Sequence, residues 1–281
     1  MKCFVVSMFV VAVLAVSVPV NANTVFSENF ESHATGTAIQ NATGWENSAA
    51  DGPVLINGYD ENSVNGHKFP NGGNALDGNS GNEVGSGKGR VWATSRTNIP
   101  APSATALTYT LEFDAIVAYG SHNNGSANAG VYLGCDDCGE FGLHYSRHNG
   151  NGWRFVGPSG TFNATALDGD GNPAAAQPWW MANTPVTASI ALDKASMTAT
   201  ATIHDPLGSY NDLTYPSQDI NQNIWDGIAK IEVRNDTYDY GNNLGIDVDN
   251  ISISETNIPE PTTLGLALLG LCGLAGIRRK R

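Results

Sequence analysis

Positive charge is scarce in this chain. Only 14 Lys and Arg occur among 281 residues, against 27 Asp and Glu, and the formal net charge is −13. Lys2, Arg278, Arg279, Lys280 and Arg281 sit at the two ends. Setting these and Glu260 aside leaves nine cations and 26 acids between them, a net charge of about −17. Phosphate binding needs a basic surface, so this composition argues against nucleic acid as a partner. Cysteine is almost as rare. Of four, Cys3 and Cys272 lie in terminal apolar runs, which leaves Cys135 and Cys138. With no second CxxC, a four-cysteine zinc site is excluded. HExxH, GxSxG and phosphate-loop motifs are absent. There is no internal repeat and no Pro- or Ser-rich linker, so the interior is expected to be one domain.

Long apolar runs are confined to the ends. Lys2, the stretch from Phe4 to Val20 and the small residues before Asn23 follow the order of a secretory signal peptide. That places a signal over 1–22, cut after Ala22. At the other end, Leu264 to Ile277 is apolar apart from glycines and is followed by Arg278, Arg279, Lys280 and Arg281. The run is short for a membrane span but sufficient when counted from Pro261. Its basic terminus is expected to stay cytoplasmic, with the preceding domain outside.

Pro259, Glu260 and Pro261, a short apolar helix and a terminal basic cluster together resemble the PEP-CTERM sorting signal of Gram-negative bacteria. The resemblance covers residues 258–281. It implies recognition by an exosortase, transient anchoring in the inner membrane, removal of the tail, and passage to the cell surface or extracellular matrix.

Glycine and asparagine are abundant between the ends, which predicts many turns and an all-β fold. In ALTYTLEFDAIVA, residues Leu107, Tyr109, Leu111, Phe113, Ala115 and Val117 alternate with polar ones, so one set faces a core. AGVYLG, EFGLHYS and GWRFVG follow as a meander of short strands. VTASIAL and SMTATATI flank Asp193-Lys194-Ala195 as a hairpin. SQDINQNIW suggests one helical turn, and Asp51 to Lys88 is expected to be dominated by loops. Trp92 and Trp225 are expected in the core. The whole predicts two packed antiparallel sheets. FSENFESHATGTAIQNATGW near the start and LGIDVDNISIS near the end resemble the first and last strands of concanavalin A-like jelly-roll domains and related carbohydrate-binding modules. This implies a jelly-roll sandwich over 23–257.

Several clusters bear on chemistry. Cys135 and Cys138 can be half a zinc site, a redox pair or a local disulfide; an oxidising compartment favours the last. Paired strand carboxylates are needed by glycosidases, but Glu112 and Asp114 are followed by Ile116, and Asp247 and Asp249 by Ile251. Asp168, Asp170 and Asn172 have calcium-loop spacing without the Gly and Glu an EF-hand requires. His144 and His148 flank a turn but lack companion ligands for zinc. The jelly-roll resemblance implies a structural calcium between Glu31 and Asp249, with Glu28 beside them. Flat aromatic rings suit the apolar faces of sugars, which singles out Trp153, Trp179, Trp180, Tyr238 and Tyr240. The expected function is non-catalytic polysaccharide binding at the surface or in the matrix. A structural matrix protein without a specific ligand, and a divergent glycoside hydrolase, are the alternatives.

Overall fold

A computed structural model describes residues 22–49, 55–58, 69, 73–77, 90–119, 127–135, 137–146, 152–158, 184–206, 212–238 and 244–257. In chain order the strands are β1 (Ala22–Glu28), β2 (Thr37–Ala38), β3 (Trp45–Ala49), β4 (Leu55–Gly58), β5 (Asn74–Asp77), β6 (Arg90–Asn98), β7 (Ala106–Tyr119) and β8 (Ala127–Cys135). They continue as β9 (Gly139–Ser146), β10 (Gly152–Val156), β11 (Pro185–Asp193), β12 (Thr198–His204) and β13 (Leu213–Asp219). One helix, α1 (Gln222–Gly227), precedes β14 (Lys230–Tyr238) and β15 (Leu244–Asn257).

The strands make two antiparallel sheets. One has nine strands, in the order β13-β12-β11-β7-β15-β5-β4-β2, with β1 also pairing to β15. The other has six, in the order β10-β9-β8-β14-β6-β3. This is an all-β, two-sheet arrangement consistent with a jelly-roll sandwich. Residues Ala22–Asn257 form one compact unit, with a hydrophobic core of their own. A unit with its own core has what it needs to fold alone.

Alternation places the core. On β7, Tyr109, Leu111, Phe113, Ala115 and Val117 are all buried, while Glu112 is exposed. The six-stranded sheet answers with Val131 and Leu133, Phe141, Leu143 and Tyr145, Phe155, and Ile231 and Val233. Leu111 is fully buried. Leu111→Ala is therefore expected to cost about 2–5 kcal/mol, measured as a fall in the denaturant midpoint with an unchanged slope.

Turn chemistry follows the sequence closely. In the β11–β12 turn, the Asp193 carboxylate accepts hydrogen bonds from Ser196 N at 2.7 Å and Ser196 Oγ at 2.8 Å. These bonds hold its carboxyl below the ordinary range. Asn221 caps α1 by accepting from Ile224 N at 3.0 Å, and Trp225 from this helix is buried in the core. Cys135 and Cys138 form a disulfide across the β8–β9 turn. A side chain at Gly227 would come within 2.9 Å of Cys138 Sγ, so the helix end packs directly on this bridge.

The segment expected to be loop from 51 to 88 contains two short strands, β4 and β5. Each has four residues, too few for a period to be read, and they become strands by pairing with each other and with β15. Among the described residues no helix is long and apolar enough to cross a membrane. The signal segment up to residue 21 and the tail from 258 to 281 lie outside those residues.

Candidate functional site

The outer face of the six-stranded sheet is built by the same alternation that fills the core. Ala129, Val131 and Leu133 of β8 point inward, which turns Gly130, Tyr132 and Gly134 the other way. The same parity turns Glu140, Gly142 and His144 outward on β9, Arg154 on β10, and Lys230, Glu232 and Arg234 on β14. Register aligns them in rows across the strands. One row runs Arg154, His144, Gly130, Arg234, Thr94. The next runs Gly142, Tyr132, Glu232, Arg96, Glu46.

Two glycines make room on this face. A side chain on Gly142 would lie 2.2 Å from a carbon of the Tyr132 ring, and one on Gly130 would lie 2.4 Å from His144 Cβ. With both absent, the phenol lies down against the sheet, and only 8% of Tyr132 is exposed. Its hydroxyl meets His144 Nδ1 at 2.9 Å. The guanidinium carbon of Arg234 sits 4.4 Å from the centre of the same ring, a cation–π contact.

Arg234 is clamped by two carboxylates. Its Nη1 donates to Glu140 Oε1 at 2.6 Å and its Nε to Glu232 Oε2 at 2.7 Å. Lys230 Nζ is 2.7 Å from Glu232 Oε1. Burial pushes the Glu232 carboxyl up, but hydrogen bonds from Lys230 and Arg234, with their charges, outweigh it and hold it below the ordinary range. His144 goes the other way. Burial, and then the nearby charge of Arg154, lower its imidazole to about 4, so it is neutral at neutral pH. Farther along the row Arg96 Nε donates to Glu46 Oε2 at 2.7 Å, and both of these side chains are exposed. The result is a held array of planar donors and acceptors on a face turned away from the core.

A second cluster lies where the first and last strands meet. Asp249 of β15 is 3% exposed and stands opposite Asp114 of β7 in the register. Burial first, then the charges of Asp114, Glu31 and Glu28, raise the Asp249 carboxyl to about 7. So Glu28 and Glu31, the other two acids expected from the sequence, act on Asp249, and so does Asp114. Local geometry explains the approach. Phe30 adopts a left-handed φ of 57° while fully buried, and this turn carries Glu28 and Glu31. Asn250 adopts a φ of 49° at an irregularity in β15 and donates from Nδ2 to Asp114 Oδ2 at 2.9 Å.

Each of the three expected acids has an oxygen accepting from a backbone amide: Glu28 from Phe30 at 2.7 Å, Glu31 from Asn74 at 2.9 Å and Asp249 from Asn250 at 2.7 Å. Among the described residues no three His, Cys, Asp or Glu groups form a ready metal cluster. The donor set nevertheless fits a hard cation. It offers oxygen only, as calcium prefers, and a divalent charge would offset the burial and like charges that raise the Asp249 carboxyl. Glu31 also lies where a side chain on Gly73 would stand, 1.9 Å from its Oε1.

The aromatic expectations divide. Trp153 lies within β10, 2% exposed, with its ring edge-on to Tyr145. Its strand starts at Gly152, as read from the sequence, and parity turns the indole into the core, so it offers no face to a sugar. Tyr238 is the last residue of β14, paired with Arg90. Its side chain, and all of Trp179, Trp180 and Tyr240, lie outside the described residues. So do Asp168, Asp170, Asn172 and His148. The outer-face array of Tyr132, Glu140, Arg154, Glu232 and Arg234 was not singled out from sequence. Its traces were the polar residues and glycines alternating through GVYLG, EFGLHY and IEVR.

The two sheets are consistent with a jelly-roll sandwich, and solved lectins and a carbohydrate-binding module are similar to it in fold. Lectin II from Ulex europaeus superposes with a TM-score of 0.51 at 7% identity, over 83% of this chain and 100% of that one. A lectin from Bauhinia forficata in complex with GalNAc gives 0.48 at 10% identity, over 84% and 99%. The CBM2 module of the evolved Dit of Lactobacillus casei BL23 phage J-1 gives 0.48 at 12%, over 86% and 100%. At these identities the likeness is one of fold. No curated protein matches the chain in sequence. Residues 257–281 match the PEP-CTERM protein-sorting motif. The chain thus carries a sorting signal, which implies exosortase-dependent export and delivery to the cell surface.

Proposed function

We propose that the exported domain is a non-catalytic polysaccharide-binding domain that acts at the cell surface or in the extracellular matrix. The observation that carries this is the held polar array on the six-stranded sheet. Arg234 is fixed by two carboxylates and a phenol ring, and Tyr132 is fixed by His144 and the glycine floor. Ordering such groups in advance lowers the entropy lost when a hydroxyl-rich ligand docks. Fold alone decides nothing here, since sandwiches of this kind host many functions.

Trp179, Trp180, Tyr238 and Tyr240 are proposed to add apolar contact to sugar rings. Glu28, Glu31 and Asp249, with Asp114, are proposed to hold a structural calcium that fixes the first strand to the last. An exosortase is proposed to act at Pro259, Glu260 and Pro261. The apolar run and Arg278, Arg279, Lys280 and Arg281 then serve as a temporary inner-membrane anchor.

The test is binding of residues 22–257 to a panel of polysaccharides, with calcium and again with chelator. Saturable binding is expected, weakened about tenfold by Tyr132→Ala, equivalent to about 1.4 kcal/mol. Trp179→Ala and Tyr238→Ala are expected to weaken it further. A well-folded domain that binds no member of the panel would contradict the proposal and favour a purely structural matrix role.

A further inference from the structure

We infer that the polysaccharide taken by the outer face of the six-stranded sheet is anionic, carrying uronate carboxylates or sulfate esters. This rests on the glycan-binding proposal above and assigns it a ligand class. The starting observation is how the few cations are placed. Between the terminal segments there are nine Lys and Arg and 26 Asp and Glu. Four of the nine, Arg96, Arg154, Lys230 and Arg234, stand on this one face. Among the described side chains three acids, Glu46, Glu140 and Glu232, stand with them. The described side chains of this face sum to about +1, against about −17 for all residues between the terminal segments. A surface meant only to stay hydrated has no reason to gather its scarce cations in this way.

Screening decides which of the two charges a ligand meets. At physiological salt the Debye length is about 8 Å. A chain lying on the sheet therefore responds mainly to the groups beneath it, and the acids on other faces are largely screened. Three of the four cations are arginines, which keep their charge and can donate to a ligand anion beside an existing partner.

Register supplies a path. The row Arg154, His144, Gly130, Arg234, Thr94 contains no carboxylate, whereas the row on one side of it contains Glu232 and Glu46 and the row on the other contains Asp236. Arg154 and Arg234 are three strands apart in that row, about 14 Å at the usual 4.7–4.9 Å per strand. Between them lies Gly130, where no side chain rises from the sheet. A linear polyanion crossing the strands along this row meets a guanidinium, a neutral imidazole, a low floor and a second guanidinium. Arg234 keeps its carboxylate partners on Nε, Nη1 and Nη2 and offers its remaining Nη1 hydrogen. Arg154, a strand-edge residue beside His144, supplies the other anchor.

The experiment measures binding of residues 22–257 to a polyuronate, a sulfated polysaccharide and a neutral glucan, at low and at physiological salt, with calcium and with chelator. Arg154→Gln and Arg154→Lys are compared with the parent after melting curves confirm that both fold. The expected result is binding to a polyanion that weakens with salt, falls about tenfold in Arg154→Gln and recovers in part in Arg154→Lys. Which polyanion binds identifies the anionic group. Equal, salt-independent binding of the neutral glucan would overturn this inference and leave polysaccharide binding standing. Polyanion binding that disappears with chelator but ignores Arg154→Gln would also overturn it, because calcium bridging would then account for the contact. Failure of all three to bind would remove both the inference and the proposal beneath it.

Discussion

Asp249→Asn is expected to stabilise the calcium-free domain at pH 8 by on the order of 2–4 kcal/mol. The carboxyl of Asp249 is raised from an ordinary 3.8 to about 7 in the folded state, by burial and then by Asp114, Glu31 and Glu28. Below pH 4 the group is protonated whether the chain is folded or not, and folding costs nothing extra. As pH rises past 4 the unfolded chain releases this proton and the folded one does not. Stability therefore falls until about pH 7 and then levels off. Asparagine keeps the shape and an oxygen for the Asn250 amide without the charge, so the pH-dependent loss disappears. For a domain of this size the gain corresponds to about 5–15 °C in melting temperature, read in chelator at pH 8 and absent at pH 4. Calcium adds a second arm. It is expected to raise the melting temperature of the parent at pH 8 and to leave the variant nearly unchanged. A variant destabilised equally at both pH values would mean that the four carboxylates do not share a field.

Arg234→Gln is expected to cost about 2–4 kcal/mol, toward the lower end of what breaking a buried ion pair costs, because the guanidinium is partly exposed. Its removal leaves Glu140 and Glu232 without their shared partner, with Lys230 alone beside Glu232. It also takes the cation off the Tyr132 ring. The pH dependence has a definite sign. Glu232 titrates below its ordinary 4.5 in the folded parent, so its pairing stabilises above that pH and the contribution fades as pH falls through the folded value. The gap between parent and variant is therefore widest at neutral pH and narrows in acid. A double-mutant cycle with Glu140→Gln measures the coupling directly. Additive losses would show that the clamp is geometric only.

Much of the sandwich was legible in the sequence because single strands carry their own signal. The alternation through Tyr109, Leu111, Phe113, Ala115 and Val117 gives β7 its buried face without any partner. The Asp193 turn and the short strands after Cys138 are local as well. The nearness of the first and last strands came through resemblance, which implied a calcium between Glu31 and Asp249; their pairing is seen in the structure. What stayed hidden depends on contacts distant along the chain. Arg234 meets Glu140 only because β14 pairs with β8, which pairs with β9, and no local pattern announces that order. Asp114 joins Asp249 for the same reason, through the β7–β15 register. Trp153 was read within the strand GWRFVG, but which face its indole takes is fixed by the pairing of β10 with β9, and a one-residue shift in a strand moves a side chain to the other side of the sheet. The apolar run and RRKR of the sorting signal needed no fold to be recognised, since its parts are contiguous.

The most direct test of the central claim is a titration of isotope-labelled residues 22–257 with an oligouronate, followed by NMR. The account predicts that amides of β8, β9, β10 and β14 and the imidazole of His144 shift together and saturate with one affinity. Shifts that saturate elsewhere, with these strands unmoved, would contradict it.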